Sequence, residues 1–155
     1  MAIEIERKYL VLSDAWSLNA DSGMDMQQGY LLGTEHASVR IRLQGDSANI
    51  NIKGVTLGVR RDEFEYPIPV ADAKYMLTHL CQKPMITKKR YHVDYDNHRW
   101  EVDVFAGENT GLIIAEIELT HEDEAFSLPE WVGEEVSHDH RYYNTCLVTH
   151  PYKDW

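Results

Sequence analysis

Charged and apolar residues alternate along successive strand-like segments of this chain, and this alternation constrains the fold more than any other feature of the sequence. Side chains on a β-strand point to opposite faces in turn. In the first segment, AIEIERKYLV, the alternation places Glu4, Glu6 and Lys8 on one face and mostly apolar residues on the other. One such segment by itself is typical of a half-exposed sheet whose charged face contacts water.

The same sorting recurs in later segments, and the basic sets and acidic sets largely fall on different segments. The polar sets that share a face are Arg40 and Arg42; Asn51 and Lys53; Arg61, Glu63 and Glu65; Lys88 and Arg90; Glu101 and Asp103; and Glu116 and Glu118. A sheet closed on itself, with apolar residues facing outward onto helices and charges facing inward, satisfies this pattern. We therefore predict a mainly β (α+β) fold: a closed eight-stranded antiparallel β-barrel tunnel with a polar, charged interior and a few covering helices.

Turn residues and hydrophobic periodicity locate the elements. Strands are predicted at 2–12, 24–33, 37–44, 47–55, 59–69, 85–96, 99–107 and 111–120, with a tight turn at Asp96-Asn97. Apolar residues at helical spacing predict one amphipathic helix over 70–83. A short helix is predicted at 122–126 and a terminal helix at 138–149.

Length and composition predict a single domain over residues 1–155. Cys81 and Cys146 have no metal-ligand spacing, which favours free thiols in a reducing cytosol. No run of about 18 apolar residues and no signal-peptide pattern is present, so we expect a cytoplasmic protein that does not enter a membrane. The net charge of −11 argues against nucleic acid and anionic membrane as partners.

A tunnel that presents both signs of charge suits a metal-bound polyphosphate. Buried charges without partners are costly, so the acids and bases must pair with each other, with water or with ligands. Carboxylates are hard ligands for Mg²⁺ or Mn²⁺, and a Glu-x-Glu spacing on one strand offers two of them. Arginine and lysine contact phosphate oxygens directly.

These residues resemble a known family, the CYTH domain or triphosphate tunnel metalloenzymes. Glu4, Glu6 and Lys8 match its N-terminal Glu-x-Glu-x-Lys signature. The resemblance continues through the segments QGYL, VRIRL, INIKG, RRDEFEYPI, KKRY, EVDVFAG, AEIEL and GEEVSHDHRYYN. It implies an eight-stranded antiparallel tunnel that holds triphosphate by its basic residues and metal by its acidic residues.

The resemblance also implies residue roles. The metal-binding acids would be Glu4, Glu6, Glu116 and Glu118, with Asp103, Glu63 and Glu65 as further candidates. The phosphate-binding bases would be Lys8, Arg40, Arg42, Lys53, Lys88 and Arg90, with Arg61 added to them. Lys8 and Tyr30 would form the catalytic pair near the reactive phosphate, orienting the attacking water or relaying its proton.

The function expected from this resemblance is metal-dependent hydrolysis of inorganic triphosphate to pyrophosphate and phosphate, with Mg²⁺ or Mn²⁺ as cofactor. Thiamine triphosphatase, nucleoside triphosphatase and class IV type adenylate cyclase activities are alternatives within the family. A non-catalytic polyphosphate-binding module is an alternative of another class. A lipocalin-like carrier is disfavoured because its pocket would be apolar. The sequence leaves a homodimer open.

Two features near the end of the chain have simpler interpretations. His138 and His140 could bind a metal, but Asp139 between them is more simply an acid at the start of a helix. Arg141 and Tyr142 lie in a tail that we interpret as a helix closing one end of the tunnel, with plain packing as the alternative.

Overall fold

Antiparallel β-strands dominate the structure, a computed structural model that describes residues 2–155. The strands are β1 (Ala2–Val11), β2 (Met24–Gly33), β3 (Ala37–Gln44), β4 (Ser47–Gly54), β5 (Arg60–Pro67), β6 (Ile86–Tyr95), β7 (His98–Phe105), β8 (Ile113–Glu118) and β9 (Val132–Glu135). Hydrogen bonds join the first eight in the order β5-β4-β3-β2-β6-β7-β8-β1, and pairing of β1 with β5 closes the row. The predicted eight-stranded antiparallel barrel is therefore confirmed.

The barrel closes where β1 pairs with β5, and β1 is therefore paired along both of its edges. Its residues 6–10 pair with β8 on one edge. On the other edge, residues 2–5 pair with β5, and Tyr9 and Val11 pair with β9 beyond the end of β5. The ninth strand therefore extends the sheet at one end of the barrel without entering the ring.

Short hairpins connect most of the strands, as the turn signals predict. The β6–β7 turn consists of Asp96 and Asn97, whose φ angles of 46° and 65° lie in the left-handed region. Two successive residues of this kind match the right-handed twist of a two-residue hairpin, and aspartate and asparagine tolerate the conformation well.

The apolar faces of the strands point outward and are covered. On one side Ile5, Tyr9, Trp100 and Ile117 form a buried cluster with Trp131, which follows β8 along the chain. Tyr9 and Trp100 meet edge to face with ring centroids 5.6 Å apart. Burial of this outer face holds the strands with their opposite, charged face toward the barrel interior.

On another side the helix α1 (Val70–His79) covers β2 and β3. Ala73 and Leu77 of the helix pack on Ile41, which is fully buried. Gly29 of β2 permits this approach, since a Cβ atom there would lie 2.7 Å from the Cβ atom of Cys81. The predicted amphipathic helix is confirmed, although it ends at His79.

An apolar cluster fills one end of the barrel interior. Ile86, Phe105 and Ile114 lie on the inward faces of their strands and pack against Leu147 and Val148 of the helix α2 (Asn144–Thr149). We call these five residues the apolar plug. The C-terminal helix therefore covers one end of the tunnel, as we interpreted from the tail.

The structure corrects the predicted helix boundaries. The terminal helix begins at Asn144, and a 3-10 helix at His140–Tyr142 precedes it. Residues 122–126 form a turn and an irregular stretch, because the Glu124 carboxylate accepts hydrogen bonds from the Thr120 amide and hydroxyl, both 2.6 Å away. Strand β9 and a 3-10 helix at Asp14–Asn19 were not predicted. Within residues 2–155, none of the helices has the length and apolar character needed to cross a membrane.

We expect Ile5→Ala to lower the free energy of unfolding by about 2–4 kcal/mol, because it leaves a cavity in the outer core. Ile3→Ala is the matched control, since Ile3 lies on the same face of β1 but is 44% exposed, against 7% for Ile5. The control should change stability by less than about 1 kcal/mol. Equal losses in urea unfolding would contradict the assignment of this face to the core.

Candidate active site

The inward faces of the eight barrel strands surround one cavity of about 280 Å³, which we call the tunnel cavity. Most of the predicted site residues line it: Glu4, Glu6, Lys8, Arg40, Arg42, Lys53, Arg61, Glu63, Glu65, Lys88, Arg90, Glu116 and Glu118. Two predicted residues do not. Asp103 is fully buried behind Lys88 and Arg90, and Tyr30 lines an adjoining gap beside the apolar plug together with Lys8.

The register of β1 and β8 brings the acids of the two strands together. Glu6 pairs directly with Glu118, and Lys8 pairs directly with Glu116. Between β1 and β8, a pair of like charges therefore lies next to a pair of opposite charges. Between β7 and β8, Glu101 pairs directly with Glu116.

Glu4 is held by two bases from the neighbouring wall. The Lys53 ammonium lies 2.9 Å and the Arg61 Nε 2.5 Å from its carboxylate oxygens. Burial by itself would raise the pKa of Glu4, but Lys53 and Arg61 outweigh it and lower the pKa to about 2. Glu4 therefore stays ionised inside the tunnel.

Lys8 is similarly fixed in its charged form. Its ammonium lies 2.5 Å from Glu116 and 3.2 Å from Glu6. Burial would lower the pKa of Lys8, but the two carboxylates raise it well above its usual value. Lys8 therefore supplies a permanent positive charge at the deep end of the tunnel and cannot accept a proton near neutral pH.

Asp103 positions two bases at once. Its carboxylate accepts hydrogen bonds from the Lys88 ammonium at 2.6 Å and from Nε and Nη2 of Arg90, both at 2.7 Å. Burial lowers the pKa of Lys88 to about 8 even though Asp103 opposes the shift. Arg90 also reaches Glu101 at 2.6 Å and Glu116 at 3.0 Å, so it links the basic wall to the acids.

The wall formed by β3 carries one positive charge, that of Arg40, that the described residues do not neutralise, whereas Arg42 pairs with Glu65 at 3.0 Å. Arg40 is 5% exposed, and no carboxylate in the described part of the chain lies within ion-pair distance of it. The buried Nε atoms of Arg40 and Arg42 have no hydrogen-bond acceptor among the residues that the structure describes. Burial and the neighbouring Arg40 lower the pKa of Arg42. A buried cation without an acceptor is costly, so this wall is suited to bind an anion.

The acids at the open end of the tunnel also lack full compensation. Burial raises the pKa of Glu118, and the carboxylates of Glu4, Glu101, Glu6 and Glu63 raise it further. Hard carboxylate oxygens that repel one another in this way fit a divalent cation. No group of three or more His, Cys, Asp or Glu side chains within residues 2–155 is close enough together to hold a metal ion by itself.

Other polar residues line the tunnel cavity without having been predicted as site residues. They are Gln28, Gln44, His92, Glu101 and Asn144. Asn51, which is fully buried, donates hydrogen bonds to Glu63 and Glu65 at 3.2 Å and 2.5 Å. Glu101 and Asn51 share faces with predicted site residues, so the alternation along their strands could have identified them as tunnel residues. No such signal marks Gln28 in the sequence, because strand β2 has no charged residue on its inward face.

In the metal-free protein, removing the charge of Glu118 and removing that of Glu4 should change the free energy of unfolding in opposite directions. Glu118→Gln relieves carboxylate repulsion and should raise the free energy of unfolding by no more than about 1 kcal/mol, because solvent screens this partly exposed group. Glu4→Gln leaves Lys53 and Arg61 without their shared carboxylate and should lower it by about 3 kcal/mol. Calorimetry in EDTA measures both changes in the free energy of unfolding, and two changes of the same sign would contradict this charge arrangement.

Comparison with known proteins agrees with this geometry. A protein named inorganic triphosphatase from Acetivibrio thermocellus is 45% identical over 155 residues, covering 100% of this chain and 99% of that protein. A second inorganic triphosphatase, from Nitrosomonas europaea, is 37% identical over 150 residues and covers 94% of this chain and 96% of its own length.

The likeness extends to three dimensions. A crystal structure described as an inorganic triphosphatase superposes with a TM-score of 0.67 at 34% identity, covering 96% of this chain and 95% of that one. The family model for the CYTH domain matches residues 2–145. With the signature acids and base of β1 inside a closed barrel of charged residues, the chain belongs to the CYTH domain family.

Proposed function

We propose that this protein is an inorganic triphosphatase, a hydrolase that cleaves the terminal phosphoanhydride of inorganic triphosphate to give pyrophosphate and phosphate. The observation that carries the proposal is the buried, uncompensated Arg40 on a wall shared with Arg42. Its buried Nε lacks an acceptor and its charge lacks a partner, both of which an anion would supply, and the full-length relatives named inorganic triphosphatases support triphosphate as that anion.

The lining of the tunnel cavity favours a small inorganic substrate. Every residue that lines it is polar or charged, and the apolar plug lies beyond its deep end. A nucleobase or a thiamine ring would bury apolar and aromatic surface, which needs apolar side chains in contact with it. This lining disfavours nucleoside triphosphates, thiamine triphosphate and the adenylate cyclase reaction.

The acids of the tunnel fit Mg²⁺ or Mn²⁺. Glu4, Glu6, Glu116 and Glu118 would contribute ligands to the metal, Glu63 and Glu65 offer further oxygen atoms from β5, and phosphoryl oxygens of the substrate and water would complete its coordination. A bound divalent cation would neutralise charge on the phosphoryl oxygens and lower the pKa of a coordinated water.

The chain's own residues bind and orient the substrate. Arg40 and Arg42 would bind phosphoryl oxygens with donors that are free in this structure, whereas Lys53, Lys88 and Arg90 would exchange carboxylate contacts for phosphate contacts. Arg61 of β5, which bonds the Glu4 carboxylate, is proposed to bind phosphate in the same way. These fixed positive charges stabilise negative charge that develops on the transferring group.

Lys8 and Tyr30 are proposed to act near the reactive phosphate. Because its two carboxylate neighbours keep Lys8 protonated, it would act as an electrostatic and hydrogen-bond donor to the transferring phosphoryl group or its attacking water. Tyr30 is 6% exposed and lies beside the plug, so it would orient the same water in a region of restricted solvent access.

We expect the protein to release phosphate from inorganic triphosphate with Mg²⁺ or Mn²⁺ and to lose this activity in EDTA. ATP and thiamine triphosphate should be poorer substrates in the same assay. Glu6→Gln should abolish turnover without unfolding the protein, because it removes a metal ligand while keeping the side-chain volume. Binding of inorganic triphosphate without turnover in any metal would instead support a non-catalytic polyphosphate-binding module.

Arg40→Ala should raise KM for inorganic triphosphate by about tenfold or more, since a hydrogen bond to a charged group contributes about 1.5–3 kcal/mol. Arg60→Ala is the matched control: Arg60 is exposed on β5, so this change alters the net charge equally outside the tunnel. An equal rise in KM in the two variants would assign the effect to net charge and contradict a direct contact.

A further inference from the structure

Strand β2 forms the one wall of the tunnel that presents no charge. Its inward residues are Met26, Gln28 and Tyr30, and all three are buried. Gln28 is 1% exposed and lines the tunnel cavity. Its side-chain Nε2 is buried and has no hydrogen-bond partner among residues 2–155. A buried N–H group without an acceptor is rare and destabilising in a folded protein, so this one needs an explanation.

The topology gives Gln28 a particular position. Strand β2 is four strands from β1 in either direction around the ring, so Gln28 lies across the tunnel from the Glu4, Glu6 and Lys8 face. Its direct partner on β3 is Arg42. On β6 its direct partner is Ile86, which places Lys88 diagonally beside it.

The neighbours of Gln28 on the two adjacent strands cannot satisfy its amide. Arg42 and Lys88 carry only donors, and a donor cannot accept the Nε2 hydrogen. The carboxylates that bond the basic residues of the tunnel do not contact Gln28: Glu65 bonds Arg42, and Asp103 bonds Lys88. The acceptor must therefore enter the cavity, and an oxyanion attracted by the two flanking bases has the right chemistry.

We propose that Gln28 is a substrate-binding residue, whose Nε2 donates a hydrogen bond to a phosphoryl oxygen held between Arg42 and Lys88. This inference rests on the proposed function for the identity of the anion, inorganic triphosphate. A neutral donor has an advantage at this position: it forms no ion pair with the tunnel acids and stays available for the substrate. Gln28 contributes to affinity and adds no charge between two flanking strands that already carry Arg42 and Lys88.

The test compares Gln28→Met with Gln27→Met. Methionine keeps the side-chain length, removes the amide and already occupies the neighbouring inward position at Met26. Gln27 is exposed on the opposite face of the same strand, so it is the matched control. We expect KM for inorganic triphosphate to rise about tenfold or more in Gln28→Met, with a much smaller change in kcat and a melting temperature that does not fall, because the variant removes an unsatisfied donor. Gln27→Met should match the wild type.

Gln28→Glu separates a binding role from a structural one. A carboxylate there would pair with Arg42 and Lys88, so the melting temperature should not fall, whereas KM should rise more than in Gln28→Met because the anion is repelled. Wild-type KM in both Gln28 variants, or a loss of stability that accounts for the loss of activity, would overturn the proposal.

Two measurements together distinguish failure of this inference from failure of the proposed function: binding of inorganic triphosphate, by calorimetry in EDTA, and its hydrolysis, by phosphate release with Mg²⁺ or Mn²⁺. If the wild type binds but does not hydrolyse triphosphate, the proposed function is wrong and the ratio of dissociation constants between the wild type and Gln28→Met decides the role of Gln28. If the wild type hydrolyses triphosphate and Gln28→Met is unchanged, only the role of Gln28 is wrong. If the wild type neither binds nor hydrolyses it, both are wrong.

Discussion

The compensation of charges inside a closed barrel is the constraint on which the rest of the structure depends. Charged groups removed from water are tolerated only when opposite charges or hydrogen bonds replace the lost solvation. Asp103, which has no exposed surface, meets this condition through Lys88 and Arg90. Closure of the barrel extends this compensation to Glu4, because Lys53 and Arg61 reach it only where β1 pairs with β5, two strands that an open sheet would leave at its opposite edges.

Some charges in the tunnel lack a partner of opposite sign, and they lie where we propose that the phosphate and the metal bind. Glu4 and Lys8 are fully paired, whereas Arg40 on one wall and Glu118 near the open end have no partner of opposite charge in the described residues. Positive excess on one wall suits phosphate oxygens, and negative excess on another suits a divalent cation. A polyanion with its metal would thus complete a charge network that is incomplete in the protein alone.

The apolar plug divides the barrel interior into two parts with different roles. Leu147 and Val148 pack against inward residues at one end and exclude water from the contacts between them, so the polar cavity ends at an apolar surface, with Lys8 and Tyr30 lining a gap beside it. Electrostatic interactions strengthen where water is excluded. The short C-terminal helix thereby affects the site, although its plug residues contribute no polar group to it.

The alternation of residues by itself determined which side chains face the interior, because the side-chain period of a strand is two and the apolar face must be buried. Glu4, Arg40 and Lys88 could be assigned to the tunnel in this way before any strand was paired, and the charges implied a polyphosphate with metal. Only the tertiary structure decided which charges compensate one another. Lys53 and Glu4 are 49 residues apart and meet because β1 closes on β5, a pairing that depends on strand order and register. The same closure isolates Gln28 on the uncharged wall, where no local pattern marks it, because an unsatisfied donor is defined only by the surroundings that the complete barrel provides.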